Sequence, residues 1–391
     1  MGTPRTAERG QGGQRAWVGA LVLLAGLLSG CTGSPGAPSG KASTAPTSAA
    51  SSTDAPSADP TSAGSSTGTD PGATTEATPE NAPLSWAPAG PLRATVTAEG
   101  DTTISISGGA AHLTIDGAQV PLPKPGGYAA AEALLDRDYA VIVHQEKTES
   151  QPGSATVIER ASGKLVLVDG QSDPPTVNGG PWALGRDPEG HALLFHATFG
   201  AKNAYCLAAQ DLVTDTGRVV WCAPKATGFN SVRQTPAGLT VLSFTAGRPS
   251  CRTPLQIDLA SGTAEPVPGP TACAGWDSLL TDAGPVWSSV PDENQIEGAD
   301  FFAATADGTV SLGVGDTGSL TWCGGSAYFT RQPQANGEPA ELLRWDGAGL
   351  ESVYQSPGSP GFLSAPRCGG DAITITARSE GGDEQVTARL P

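Results

Sequence analysis

Two histidines and an arginine fall at matching places in the chain. His144, His196 and Arg331 close the strong β-runs Tyr139-Ala-Val-Ile-Val-His144, His191-Ala-Leu-Leu-Phe-His196 and Ser326-Ala-Tyr-Phe-Thr-Arg331. Side chains that end corresponding strands of successive units can converge, and imidazoles with a guanidinium could then act as a general base, a metal pair or an anion seat. Ordinary strand-end hydrogen bonding fits the same residues, because no third ligand and no orienting carboxylate is placed beside them. His112 and His191 show no partners. Acidic residues gather in long loops, in Asp292-Glu293-Asn-Gln-Ile-Glu297 with Asp300 and in Glu380-Gly-Gly-Asp-Glu384. A cationic partner or calcium would suit them, but the ligand spacing of an EF-hand loop is missing, and such runs also serve as solvated surface.

Other chemistry is sparse. There is no Walker loop, no dinucleotide fingerprint and no Gly-x-Ser-x-Gly elbow, so no cofactor is expected. The cysteines contain no Cys-x-x-Cys pair, and His191 with His196 lacks the upstream cysteines of a zinc site, so no metal is expected. A formal charge of −17 argues against nucleic acid and against electrostatic adhesion to anionic lipid.

The elements that would position these residues are short strands that repeat. Leu113-Thr-Ile-Asp-Gly117, Val157-Ile-Glu-Arg-Ala-Ser-Gly163, Asp211-Leu-Val-Thr-Asp-Thr-Gly217, Leu255-Gln-Ile-Asp-Leu-Ala-Ser-Gly262, Phe302-Ala-Ala-Thr-Ala-Asp-Gly308 and Leu343-Arg-Trp-Asp-Gly-Ala-Gly349 each join an apolar strand to a tight turn. Their turn glycines lie 46, 54, 45, 46 and 41 residues apart. A second series of turn-plus-β-run units, out of phase with the first, opens after Gly100, at Asp138 and after Gly190, Gly238, Gly284, Gly325 and Gly370. Hairpins repeating with a period in the forties read as blades. The arrangement resembles WD40-like and quinoprotein-like β-propellers, with Trp345-Asp346 and Gly190-His191 as its traces of the WD grammar.

The expectation is therefore an all-β single propeller over residues 84–391, with seven four-stranded blades. Leu84-Ser-Trp-Ala87 would supply the outer strand that the last unit lacks. A six- or eight-bladed ring, or two packed sheets, fits the same pattern. The tight turns lie at one end of the ring and the longer loops at the other, so a site is expected on the long-loop face near the channel mouth, with His144, His196, Arg331, Asp292 and Glu293 as its candidates. Trp182, Trp276 and Trp322 fall in inner strands, as packing between blades or as stacking surfaces for sugars. The same phase suggests three disulfides, Cys206 with Cys222, Cys251 with Cys273 and Cys323 with Cys368.

Before this domain, Arg5, Arg9 and Arg15 precede an apolar run from Ala16 to Leu28, which is the layout of an export signal over residues 1–30. Leu28-Ser29-Gly30-Cys31 resembles the lipobox of bacterial lipoproteins. That resemblance implies cleavage before Cys31, lipidation of its sulfur, and anchoring in a lipid bilayer on the extracytoplasmic face of the cell membrane. Residues 31–83 are nearly all Ser, Thr, Ala, Gly, Pro and Asp and read as a disordered tether. The functional expectation is a non-catalytic binding or scaffold module for a cell-envelope ligand or exported protein. The alternative is an extracellular hydrolase or lyase acting on carbohydrate or peptide.

Overall fold

A computed structural model of the chain describes residues 83–148, 150–335 and 337–391. The export signal, the lipobox with Cys31, and the tether as far as residue 82 lie outside the described residues.

The fold opens with β1 (Trp86–Pro88), followed by β2 (Thr95–Glu99), β3 (Thr102–Ser107), β4 (Ala110–Ile115) and β5 (Ala118–Val120). Next come β6 (Tyr128–Leu135), β7 (Tyr139–Glu146), β8 (Ser154–Glu159) and β9 (Leu165–Val168). Strands β10 (Trp182–Arg186), β11 (Ala192–Phe199), β12 (Tyr205–Asp211) and β13 (Thr216–Cys222) form the following unit. It is succeeded by β14 (Thr227–Thr235), β15 (Gly238–Thr245), β16 (Arg248–Ile257) and β17 (Ala264–Pro266), then β18 (Gly275–Thr281), β19 (Gly284–Ser289), β20 (Gly298–Thr305) and β21 (Gly308–Asp316). The chain finishes with β22 (Thr321–Cys323), β23 (Ser326–Arg331), β24 (Glu341–Trp345), β25 (Leu350–Gln355), β26 (Gly361–Leu363), β27 (Arg367–Gly369), β28 (Ala372–Ser379) and β29 (Glu384–Arg389).

This is a single all-β propeller, but the expectation of seven separate four-stranded blades is corrected. Five four-stranded blades are present, β2–β5, β10–β13, β14–β17, β18–β21 and β22–β25. The remaining strands belong to one nine-stranded sheet in the order β1-β29-β28-β27-β6-β7-β8-β9, with β26 added beside β28. The link that makes it continuous is a parallel pairing of Gly369 with Leu135. Glycine is required there, since a side chain would collide with the Ala98 carbonyl oxygen. The sequence presents Gly369-Gly370 as a turn, and nothing local announces a partner so distant in the chain.

The turns explain the repeat. Asp211 accepts the amides of Val213 (2.8 Å) and Thr214 (3.0 Å), Asp258 those of Ala260 (2.8 Å) and Ser261 (3.1 Å), and Asp346 those of Ala348 (2.9 Å) and Gly349 (2.8 Å). An acidic residue at the strand end thus satisfies two backbone donors that the reversal leaves unpaired. These bonds hold all three carboxyls below the usual aspartate range; at Asp211 they outweigh desolvation, the largest single influence, which acts in the opposite direction. In the β4–β5 turn, Asp116 and Gly117 take φ of 51° and 76°, the paired left-handed residues of a tight hairpin.

Burial lies between sheets. Leu193, Phe195 and Leu207 of one blade pack with Phe229, Leu239 and Val241 of the next. Phe301 and Phe329 stack across another boundary with ring centroids 4.2 Å apart. The second strand of each unit is covered on both sides, so β7 and β11 are largely apolar, each fully buried Val, Leu, Ile or Phe contributing about 1.5–3 kcal/mol.

Arginines cross the same boundaries. Arg160 reaches from the β8–β9 turn to Glu99 and Thr102, Arg186 from β10 to Asp136 and Asp138, and Arg233 from β14 to Asp277. Ring closure uses Arg367 of β27, which donates to the Val96 carbonyl (Nε, 2.6 Å) and to Gln385 (Nη2, 2.9 Å). Burial pushes the Arg367 pKa down to about 10. Beside it β1 pairs antiparallel with β29, from Trp86 opposite Ala388 to Pro88 opposite Val386.

Replacing Arg367 with Met leaves the Val96 carbonyl without its side-chain donor and takes one of three donors from the Gln385 amide oxygen, which keeps the Val96 amide and the Thr376 hydroxyl, so urea unfolding should show a loss of about 1–3 kcal/mol. Arg389→Met, which removes only the exposed pair with Asp371, should cost about 0.5 kcal/mol or less in the same measurement.

Candidate functional site

His144 and His196 both end up inside. His144 is buried near the end of β7, its Nε2 3.2 Å from the Thr156 hydroxyl. His196 is fully enclosed, with Nδ1 3.1 Å from the Ala197 carbonyl, the Trp182 ring centroid 5.5 Å away, and Nε2 unpartnered. Each imidazole is bonded within its own sheet. Burial lowers both pKa values below that of free imidazole, and for His196 the Ala197 carbonyl only partly offsets this. Both rings are therefore neutral at pH 7.

Arg331 occupies the matching strand end but reaches back across the boundary to the preceding blade. It donates to the Val314 carbonyl (Nε, 2.9 Å) and the Leu312 carbonyl (Nη2, 3.2 Å), with Glu341 at 3.5 Å. Asp292 is exposed and folds its own loop by accepting the Asn294 amide (2.9 Å). Glu293 pairs with Arg248 at 3.0 Å. It also lies beside Cys251 and Cys273, but those sulfurs are joined to each other and offer no thiolate to a metal. The other cysteines among the described residues are joined as Cys206–Cys222 and Cys323–Cys368, the latter linking β22 to β27.

Clefts open at both ends of the propeller. On the long-loop face, a cleft of about 500 Å³ lies between β3–β5 and the start of β6, lined by His112, Gln119, Pro123, Lys124, Tyr128 and His144. On the tight-turn face, another of about 670 Å³ is lined by Leu184, Arg186, Gln234, Pro236, Leu259 and Trp322. Pockets are thus not confined to the face where the longer loops suggested them.

Two residues that could recognise a ligand, Glu132 and Arg252, carried no signal in the sequence, whereas Trp276 lies in an inner strand as expected. The innermost strands β6, β14 and β18 each slip register, between Ala130 and Glu132, Phe229 and Val232, and Gly275 and Ser278. Such irregularities re-aim side chains. Glu132 keeps contact with water, yet the surrounding protein desolvates it, and its pKa is pushed up to about 7 although Arg233 acts in the opposite direction. Trp276, at the second irregular site, lies under Arg252 of β16, whose guanidinium carbon is 3.8 Å from the indole ring centroid. Arg252 holds no repeated position, so periodicity carried no signal for it.

No protein-family model matches the chain, and no curated protein sequence matches it. Among solved structures, the β-propeller domain of the trilobed protease from Pyrococcus furiosus is similar at 10% identity and a TM-score of 0.51, over 76% of this chain and 95% of that one. That domain has an open velcro topology, whereas here β1 pairs with β29. Pyrococcus horikoshii acylaminoacyl peptidase matches at 10% identity and a TM-score of 0.45, over 68% of this chain and 46% of that chain. TolB from Acinetobacter baumannii matches at 11% identity and a TM-score of 0.35, over 76% and 78%. The chain spans about half the length of the acylaminoacyl peptidase. At these identities the likeness shows the fold alone.

The shifted groups give opposite pH slopes. Below about pH 6.5 the unfolded chain takes up protons that His144 and His196 resist in the fold, so their contribution is full above that pH and is lost as pH falls. Glu132 instead holds a proton in the fold that the unfolded chain releases, so its contribution declines as pH rises from about 4.5 to 7. The double variant His144→Gln/His196→Gln should flatten the acid-side fall in unfolding midpoint. Glu132→Gln should raise the midpoint at pH 8 and leave it unchanged at pH 4, the gain being limited by water in contact with the carboxylate.

Proposed function

We propose that the chain is an exported lipoprotein, anchored through Cys31 on the extracytoplasmic face of the cell membrane, whose propeller is a binding module for a ligand or protein of the cell envelope. The observation that carries the non-catalytic reading is the bonding of the two buried histidines of β7 and β11: a hydroxyl at His144 and a backbone carbonyl at His196, where general-base work would call for an orienting carboxylate. Three arginines at the sheet boundaries are committed in the same way, Arg186 on two aspartates, Arg233 on Asp277 and Arg331 on carbonyls. What stays open is a rigid frame with clefts at both ends, which is the form of a recognition surface. The peptidases that share the fold are about twice as long as the matched part of this chain, and their activity is not carried over.

Two measurements test this reading. Metabolic labelling with a radioactive fatty acid should mark the wild-type protein and leave Cys31→Ser unlabelled; persistent label would refute the anchor. Pull-down from envelope extracts with the full chain should recover a partner that is lost when Pro291–Asp300 is replaced by a short Gly-Ser turn. Turnover of an envelope polymer or peptide by the purified protein would replace the binding reading with the hydrolytic one.

A further inference from the structure

Arg252 stands apart from the other guanidiniums. Arg160, Arg186, Arg233, Arg331 and Arg344 each face a carboxylate, and Arg367 is taken up by carbonyl, hydroxyl and amide oxygens. Arg252 is the one partly buried arginine among the described residues to which no hydrogen-bond acceptor is assigned. Its Nε is cut off from water without a partner, while its two terminal nitrogens are not. The acid that reaches this part of β16, Glu293, pairs with Arg248 instead, at 3.1 Å to Nε and 3.0 Å to Nη2.

A desolvated cation without a counter-ion is costly, and stacking on an indole returns only about 0.5–2 kcal/mol. Burial also lowers the Arg252 pKa, the sign of a charge held where water alone does not compensate it. The surroundings fix the group in place. Arg252 lies opposite Phe244 at the long-loop end of its blade, next to the Cys251–Cys273 disulfide, and Trp276 belongs to the innermost strand of the following blade. The contact therefore spans a sheet boundary near the axis. With the guanidinium carbon held over the ring and Nε enclosed, the terminal N–H groups, which have no acceptor among the described residues, form a planar fork suited to two acceptor oxygens. In a chain of formal charge −17, such an unpaired cation is a local exception.

We propose that Arg252, held over Trp276 at the long-loop end of the propeller, is the seat for an oxyanion on the ligand, a carboxylate or a phosphodiester group. This rests on the binding reading above and names the chemistry the face would recognise. The seat orients the anion through the fork and gains from partial exclusion of water, so affinity falls with salt, though less steeply than for exposed charges.

Isothermal titration of the purified full chain with oligogalacturonate, with a glycerol-phosphate oligomer and with neutral dextran tests it and separates the two sources of oxyanion. Binding of either anionic probe, absent for dextran, is expected, with Arg252→Gln weakening it at least about tenfold. Arg252→Lys, which keeps the charge and loses the fork, should recover only part of that loss. Trp276→Phe provides a folded control with the ring retained, expected to weaken binding a fewfold, and unfolding midpoints verify that each variant is native. Equal binding by Arg252→Gln, or no binding of either anionic probe, would overturn the seat. Cleavage of a probe would overturn the non-catalytic reading, while the dependence on Arg252 would still be legible in the same titration.

Discussion

The ring depends on one closure, in which residues from the two ends of the domain share hydrogen bonds. Arg367 and Gln385, near the C-terminus, hold β2 through the Val96 carbonyl and amide, and Gln385 also donates to the Pro91 carbonyl. Sheets that bury their faces only against neighbours have no independent core, so each boundary relies on the one before it. A polar closure makes that chain of boundaries finite. It is also demanding: a buried guanidinium and amide must both be satisfied, and Arg367 achieves this with partners from four segments, Val96, Ser364, Thr376 and Gln385.

The same device recurs around the molecule. Apolar side chains bring sheets together but do not set their relative register, because Leu, Val and Phe contacts tolerate sliding. A guanidinium aimed at a fixed carboxylate or carbonyl does not tolerate it. Arg160, Arg186, Arg233 and Arg331 each cross to another blade or sheet, and this accounts for a strand-end arginine turning backward instead of toward solvent.

Hairpins were legible because their causes are local. Asp211, Asp258 and Asp346 close turns through atoms two or three residues away, and the pattern of an acidic residue before a tight turn records that chemistry directly. Sheet continuity was not legible, since Gly369 meets Leu135 across more than half of the domain and needs only the absence of a side chain. The site candidates divide along the same line. The β-runs do form strands, but β7 and β11 continue two and three residues past His144 and His196, and what a side chain meets there depends on the adjoining sheet. Thus Arg331 is consumed by carbonyls, and Arg252, at no repeated position, is left with an aromatic ring and no acceptor.

The placing of β1 has a mechanical consequence. Any pull transmitted along the N-terminal segment enters the fold at a three-residue strand on the edge of the nine-stranded sheet, before it reaches a blade. Trp86 is the fastening at that point, its indole N–H donating to the Val353 carbonyl at 2.9 Å and its ring set edge-on to Tyr354 at 5.0 Å. Tension is thereby shared with β25 of the neighbouring blade, so load entering at β1 is spread over two sheets before it can peel the ring open.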